Sequence, residues 1–313
     1  MEGYKQVLRQ LDKCLACGFI TFRDYKAQAL LEIYSDEYFA GAEYADYVGQ
    51  QDAMRRSMRR HLKQMNRYNP KHGSLLEIGC AYGLFLDEAR SYFSCVSGID
   101  ICTTPTTYAK ERLGLDVYCD DFLKRDFGDV RFDVICFWDT IEHLAAPEAY
   151  IEKAAGLLNS EGMIFLTTGD IDSFNARLRG GNWRQIHPPS HLHYFSRDTV
   201  TVLLNRLGFE VTGIESTPYY HTAYNILASI RLRGGFSGRL ASFALSLPVE
   251  KLARRLGFWI NLGDIMFVAA RVVKPAFKSQ NNQANHLPGS NGKGRIGTGD
   301  RTARQPTISL VNL

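Results

Sequence analysis

The sequence predicts an α/β fold built on a doubly wound, mostly parallel sheet. Three observations lead there. Short apolar runs alternate with helical patterns between Leu75 and Leu166, a glycine-bearing turn follows the first run, and acidic residues stand where successive runs end. The 313 residues are 45% hydrophobic and 22% charged, an ordinary globular composition that excludes global disorder. No stretch approaches the ~20 apolar residues of a membrane span. The opening MEGYKQVLRQLDK lacks the apolar centre of a signal peptide, so a cytoplasmic protein is expected.

Residues 54–67 place Met54, Met58, Leu62 and Met65 on one helical face, with Arg55, Arg56, Arg59, Arg60, Lys63 and Arg67 on solvated faces. Pro70, His72 and Gly73 end that helix. The run Leu75 to Ile78 then enters the turn Glu77-Ile78-Gly79-Cys80-Ala81-Tyr82-Gly83, followed by a helical pattern from Leu84 to Phe93. The unit repeats. Val96 to Ile99 ends in Asp100, a helix covers Tyr108 to Leu113, and Asp116 to Cys119 ends in Asp120 and Asp121. Phe132 to Phe137 leads to Trp138 and Asp139, and a helix over Pro147 to Leu158 stops at an Asn159–Gly162 turn before the strand Met163 to Leu166. Strand-like Phe209 to Ile214 and Ile265 to Val272 bring the expected count to seven.

Charge is regional. The formal net charge of +4 resides in the tail from Ala276, where five Lys and Arg face Asp300. Residues 1–275 therefore sum to zero, and a body without net charge is a poor general binder of nucleic acid. Within it, residues 217–262 carry six positives against Glu250. Seven cysteines in a chain with no signal peptide read as reduced thiols. Cys14 and Cys17 form half of a zinc knuckle, and the missing second pair favours two free thiols over a four-ligand site.

In doubly wound sheets ligands bind outside the carboxyl ends of the strands. Gly79 and Gly83 let backbone approach a ligand there. Asp100, 21 residues after Gly79, suits a carboxylate accepting ribose hydroxyls. The dinucleotide fingerprint G-x-G-x-x-G fails, since Ala81 and Leu84 stand at its second and third glycines.

The stretches LLEIGCAYGLFLDEA, VSGIDI, YCDDFL, FDVICFWDTIEHLAAPEAYI and LLNSEGMIFLTTGD together resemble the class I S-adenosylmethionine-dependent methyltransferases over about residues 35–272. HPPSHLHYFSRDTVTVLLNRLGFEV is most similar to bacterial small-molecule enzymes related to ubiquinone-biosynthesis O-methyltransferases. The resemblance implies a Rossmann-like seven-stranded core, S-adenosyl-L-methionine as cofactor and S-adenosyl-L-homocysteine as product. It assigns Glu77, Gly79, Ala81 and Gly83 to the methionine end of the cofactor, Asp100 to the ribose, Asp121 and Phe122 to the adenine, and Trp138 and Asp139 to the floor near the sulfonium. Ala81 departs from the usual glycine by one methyl group. Against these roles stand helix capping for the acids and core packing for Phe122 and Trp138.

Candidate bases lie in the loop Trp183 to Phe195, which holds His187, His191 and His193 before a helix capped by Ser196. In an extended segment His191 and His193 share a side and would jointly face substrate, with His191 the first choice. Each could instead serve only the loop backbone. Glu142 and His143, with His191 or His193, allow an N/O metal site, but the preferred assignment holds no metal.

The expected domains are 1–53 with a remnant C-x-x-C knuckle, a 54–216 cofactor core, a basic helical lid at 217–262 opening on Tyr219, Tyr220 and Tyr224, a last core strand at 263–275, and a disordered tail at 276–313. The lid reads first as a cap with a solvated basic face, and its composition also suits peripheral contact with an anionic membrane face or a grip on a phosphate-bearing or lipid-linked substrate. The function read from the sequence is O-methylation of a small-molecule, sugar or lipid-linked acceptor. The alternatives are C- or N-methylation, or a cofactor-binding regulator without turnover.

Overall fold

The computed structural model describes residues 10–22, 51–232, 235–246, 250–273 and 307–309. Most of the tail expected to be disordered, and most of the expected 1–53 segment, lie outside these residues. Strands are numbered β1 to β13 and helices α1 to α9 among the described residues.

The core is a seven-stranded sheet of order β5-β4-β3-β6-β7-β12-β9. Its strands are β3 (Ser74–Ile78), β4 (Cys95–Asp100), β5 (Asp116–Cys119), β6 (Phe132–Trp138), β7 (Leu158–Gly169), β9 (Phe209–Ser216) and β12 (Ile265–Val272). β3 pairs in parallel with β4 and β6, β4 with β5, and β6 with β7, whereas β12 runs antiparallel between β7 and β9. Five parallel strands buried on both faces need near-continuous apolar sequence. β6 supplies it with FDVICFW, of which only Asp133 is not buried. Strand order reverses between β3 and β6, which places a crevice at their carboxyl ends.

Helices α2 (Leu84–Ala89), α3 (Thr103–Leu113), α4 (Pro147–Leu157) and α6 (Arg197–Arg206) connect and cover the strands. α3 stops at Gly114, whose φ of 64° is the left-handed conformation of a glycine C-cap. Ser196 caps α6 as expected, in a reciprocal box with Thr199. Several boundaries differ from the sequence reading, and α3 begins at Thr103, five residues before the expected Tyr108. The helix expected over 84–93 ends at Ala89, and the turn expected at 159–162 is the first part of β7, with Glu161 at φ 64°. Asn159 is held there by a hydrogen bond from Nδ2 to Asp133 Oδ1 at 2.8 Å, a tie from the neighbouring strand that local turn propensity does not register.

α1 (Gln51–Asn66) also differs from its reading. Besides Leu62 and Met65, it buries Ala53, Ser57, His61 and Gln64. These polar residues carry the lid. Ser57 Oγ accepts the Tyr220 N–H at 3.0 Å, and Thr217 Oγ1 donates to Gln64 Oε1 at 2.7 Å. The lid consists of the hairpin β10 (Tyr219–Thr222) with β11 (Gly257–Ile260), enclosing α7 (Ala223–Leu232), α8 (Gly235–Ser246) and α9 (Glu250–Arg255). The arginines of α1 are largely engaged. Arg55 pairs with Asp87 at 2.6 Å and Glu88 at 3.1 Å on α2, and Arg56 lies 4.7 Å over the Tyr220 ring.

A small sheet of order β13-β1-β2-β8 joins β1 (Leu11–Cys14), β2 (Ile20–Phe22), β8 (His193–Tyr194) and β13 (Thr307–Ser309). Cys14 and Cys17 are free thiols at the β1–β2 turn. α5 (Phe174–Arg179) follows β7.

Candidate active site

A cavity of about 430 Å³ opens along the carboxyl ends of β4, β3 and β6 and continues beneath the lid. Its first wall is the β3–α2 turn. Gly79 and Gly83 have φ of 76° and 71°, and a Cβ at Gly79 would stand 2.7 Å from Thr140 Cγ2 and Oγ1. Ala81, the residue in place of the usual glycine, is itself left-handed at φ 43°. The turn therefore keeps its glycine-like backbone at a steric cost.

Acidic groups follow. Glu77, the penultimate residue of β3, is almost fully buried, and its Oε2 meets no hydrogen-bond partner among the described residues. Burial pushes its carboxyl well above the usual range, and the charge of Asp100 adds to this. Asp100 accepts the Ala81 N–H through Oδ2 and the Cys102 N–H through Oδ1, both at 2.9 Å. Burial raises its pKa while those N–H groups oppose the rise. The carboxylate expected to take ribose hydroxyls thus also ties the β3 turn to β4, with acceptor capacity left on each oxygen.

After β5 the structure puts Asp120 rather than Asp121 on the cavity wall. Asp121 accepts the Leu123 N–H at 2.9 Å and pairs with Lys124 at 3.1 Å, so it serves its own turn. Phe122 does line the cavity, stacked on Tyr150 with ring centroids 5.5 Å apart.

The floor comes from the end of β6. Trp138 lies flat on His61, ring centroids 4.8 Å apart and 15° between planes. Neither ring nitrogen of His61 has a hydrogen-bond partner among the described residues, and burial lowers its pKa to about 4. Asp139 has φ 47° and is fixed from two sides. Thr167 Oγ1 donates to Oδ1 at 2.9 Å, and the lid's Tyr219 hydroxyl donates to Oδ2 at 2.6 Å. Burial and Asp139 together push the Tyr219 pKa well up.

Of the three loop histidines only His191 lines the main cavity, and His191 and His193 both border a small pocket beside Thr168 and Trp183. The His191 N–H donates to His187 O at 3.0 Å, closing a turn over residues 187–191 just before β8. His191 lines the cavity, where burial, then the neighbouring His143 and His187, lower its pKa. His193 is buried in β8 beside Thr21, with its Nδ1 3.1 Å from Thr21 Oγ1 and its ring stacked on Phe19. His187 lies off the cavity wall, its Nδ1 3.4 Å from Ser190 Oγ. Glu142, His143 and His191 bring one ligand-type atom each within 4.8 Å of one another. Burial, then Asp139, raise the Glu142 pKa to about 8, and its Oε2 meets no partner among the described residues.

Sequence reasoning did not single out Asp120, His61 or Arg184 for the site, and named Tyr219 only as the start of the insert. Asp120 carried the same signal as Asp121, a carboxylate just past a strand. His61 and Tyr219 had none, because their partners are 77 and 80 positions away.

A doubly wound sheet with β12 antiparallel thus carries an acid-lined crevice at the strand-order reversal, with a glycine turn on its first wall. The family model described as "Methyltransferase domain" matches residues 51–214, and the chain belongs to that family. The ubiquinone biosynthesis O-methyltransferase of Coxiella burnetii is 25% identical over 114 residues, 35% of this chain and 48% of that protein. That of Haemophilus ducreyi is 27% identical over 104 residues, covering 30% and 44%. The chain spans about half the length of these curated relatives. Two solved structures share the fold. The magnesium protoporphyrin IX methyltransferase of Synechocystis, with bound S-adenosylhomocysteine, superposes at TM-score 0.51 with 10% identity, covering 79% of this chain and all of that one. A Thermotoga maritima SAM-dependent methyltransferase, described as a possible histamine N-methyltransferase, gives 0.50 with 16% identity, covering 77% and 99%. Among the described residues no helix is long and apolar enough to cross a membrane.

Proposed function

We propose that this protein transfers a methyl group from S-adenosylmethionine to a hydroxyl of a small-molecule, sugar or lipid-linked acceptor held beneath the lid. The observation that carries the reading is the unpartnered, buried Glu77 carboxylate beside a left-handed glycine turn. A buried carboxylate without a donor is costly, and the α-ammonium of the cofactor's methionine end is the donor it lacks. Gly79, Ala81 and Gly83 give the backbone access, Asp100 takes the ribose, and Asp120 and Phe122 border the adenine. When bound, the cofactor supplies an electrophilic methyl group, so positioning is the protein's largest contribution.

The chain's own work is to orient the acceptor and receive its proton. His191 is the base, since its depressed pKa keeps the imidazole unprotonated at neutral pH. A weak base gives less driving force, and general-base help of this kind is worth typically ~100 to 10,000-fold. Tyr219, through Asp139, holds the lid hairpin over the floor and excludes water. The lid's exposed Phe243, Leu252, Leu256 and Trp259, interspersed with exposed Arg239 and Arg255, support a resting contact with an anionic membrane face.

Calorimetric titration with S-adenosylmethionine and S-adenosylhomocysteine tests the reading. Micromolar binding of both, weakened at least tenfold by Asp100→Ala, is the expected result. Absence of binding to either would overturn it.

A further inference from the structure

The cavity is electrically two-sided. Across β5, β4 and β3 its wall carries Asp120, Asp100 and Glu77, whereas beyond β6 it carries Arg184, Gln185 and His191 from the loop after β7, and His221 from the lid. The acids follow three adjacent strands about 4.8 Å apart, whereas the donors come from a loop and the lid hairpin. Two acids, Asp139 and Glu142, stand at the divide. Both oxygens of Asp139 already accept hydrogen bonds, from Thr167 and Tyr219, and Glu142 is buried.

Arg184 is the permanent charge of the second half, because a guanidinium is not deprotonated in proteins. Among the described residues it meets one carboxylate, through Nε, at 3.6 Å from Asp264 Oδ2. That oxygen is already committed, accepting from Trp183 Nε1 at 2.9 Å and Asn175 Nδ2 at 2.8 Å. No described side chain hydrogen-bonds the terminal nitrogens of Arg184, and the residue lines the cavity. A planar fork of donors in that position matches two oxygens of a carboxylate or phosphate. Gln185 and the ring of His221 extend the donor set. Against the effect of burial, Trp183 and then the Arg184 charge lower the Asp264 pKa, yet the Arg184 contact runs through Nε and leaves the half-exposed guanidinium's terminal nitrogens for a ligand.

We infer that the acceptor carries an anionic group, a carboxylate or a phosphate, seated on Arg184 at the lid end of the cavity. This rests on the methyltransferase reading and adds the acceptor's charge class to it. The carboxylates of the first half repel such a group, so the anion also orients the acceptor, directing its other end toward the cofactor.

The test uses the full chain saturated with S-adenosylhomocysteine and titrated calorimetrically with benzoate, phenyl phosphate and benzyl alcohol. The probes are aromatic because Trp138, Tyr219 and Tyr220 wall the space. At least one anion is expected to bind tenfold or more tighter than benzyl alcohol, and the tighter of the two distinguishes carboxylate from phosphate. Arg184→Gln is expected to remove that preference at unchanged affinity for S-adenosylhomocysteine, and Arg184→Lys to retain part of it. Equal binding of the neutral probe, no binding of any probe at millimolar concentration, or an undiminished preference in Arg184→Gln would overturn the inference. The wild-type comparison needs no variant to fold. Failure of the unmodified chain to bind S-adenosylhomocysteine would instead sink the methyltransferase reading.

Discussion

The two halves of the cavity are built by different means. The cofactor half is made of turns that directly follow strands, so Glu77, Gly79, Ala81 and Gly83 are fixed by the chain within seven residues. The lid half is assembled from α1, the loop after β7 and the β10–β11 hairpin. There Tyr219 meets Asp139 across 80 positions and Tyr220 meets Ser57 across 163. The difference predicts where damage is local and where it spreads.

Gly79 is the position at which the cofactor half should break most severely. Gly79→Val combines a left-handed φ, costing a branched residue about 1–2 kcal/mol or more, with overlap of Thr140 at 2.7 Å. A total loss of about 3–5 kcal/mol is expected from urea unfolding, together with loss of S-adenosylhomocysteine binding. Unchanged stability would show that the turn is not rigidly defined by its neighbours.

The lid half should reveal itself through pH. His61 is neutral and buried, with its pKa lowered to about 4, while the unfolded chain protonates near 6.5. Below pH 6.5 the unfolded state therefore binds more protons, and the stability His61 contributes is lost as pH falls toward 4, by at most about 3 kcal/mol. Glu142 has the opposite sign. Its folded pKa of about 8 lies above the unfolded 4.5, so its contribution is full below 4.5 and lost as pH rises through 8. His61→Phe keeps a ring against Trp138 and removes both unpartnered nitrogens. It is expected to stabilise the protein by about 1–2 kcal/mol at pH 5 and by less at pH 7.5, in urea midpoints at both values. An equal shift at both pH values would show that packing, not protonation, governs this site.

The same contrast explains what could be read beforehand. Seven strands, their order of alternation and the cap at Ser196 rest on period, turn chemistry and capping, which are local. The ends of strands likewise placed Asp100 and Trp138 at the cavity. Asp121 shows the limit of that signal, because two adjacent carboxylates past β5 satisfy it equally and only the turn's hydrogen bonds choose between them. His61 reads in sequence as one polar position in a basic helix, and its burial depends on Trp138 and Tyr219, which neither period nor propensity connects to it. His187 parts from the other two because the turn closed by His191 N–H on His187 O leaves it off the cavity wall, while His193 continues into β8.

The smallest effect sharpens the comparison most, because it concerns a single methyl group. Ala81 holds a left-handed conformation at φ 43°, and its N–H donates to Asp100 at 2.9 Å. An alanine there costs about 1–2 kcal/mol in strain, whereas glycine adds roughly 0.5–1 kcal/mol of unfolded-state entropy. The net expectation for Ala81→Gly is a gain of about 0.5 kcal/mol in unfolding free energy. Affinity for S-adenosylhomocysteine should stay within about twofold, since the N–H to Asp100 is retained. If the half is as locally determined as the contrast holds, that gain adds to the one from His61→Phe within ~0.5 kcal/mol, because separate sites without shared partners are additive. A double variant falling well outside that sum would mean that the two halves communicate through the cavity floor at Trp138, and that the division between them is not energetic.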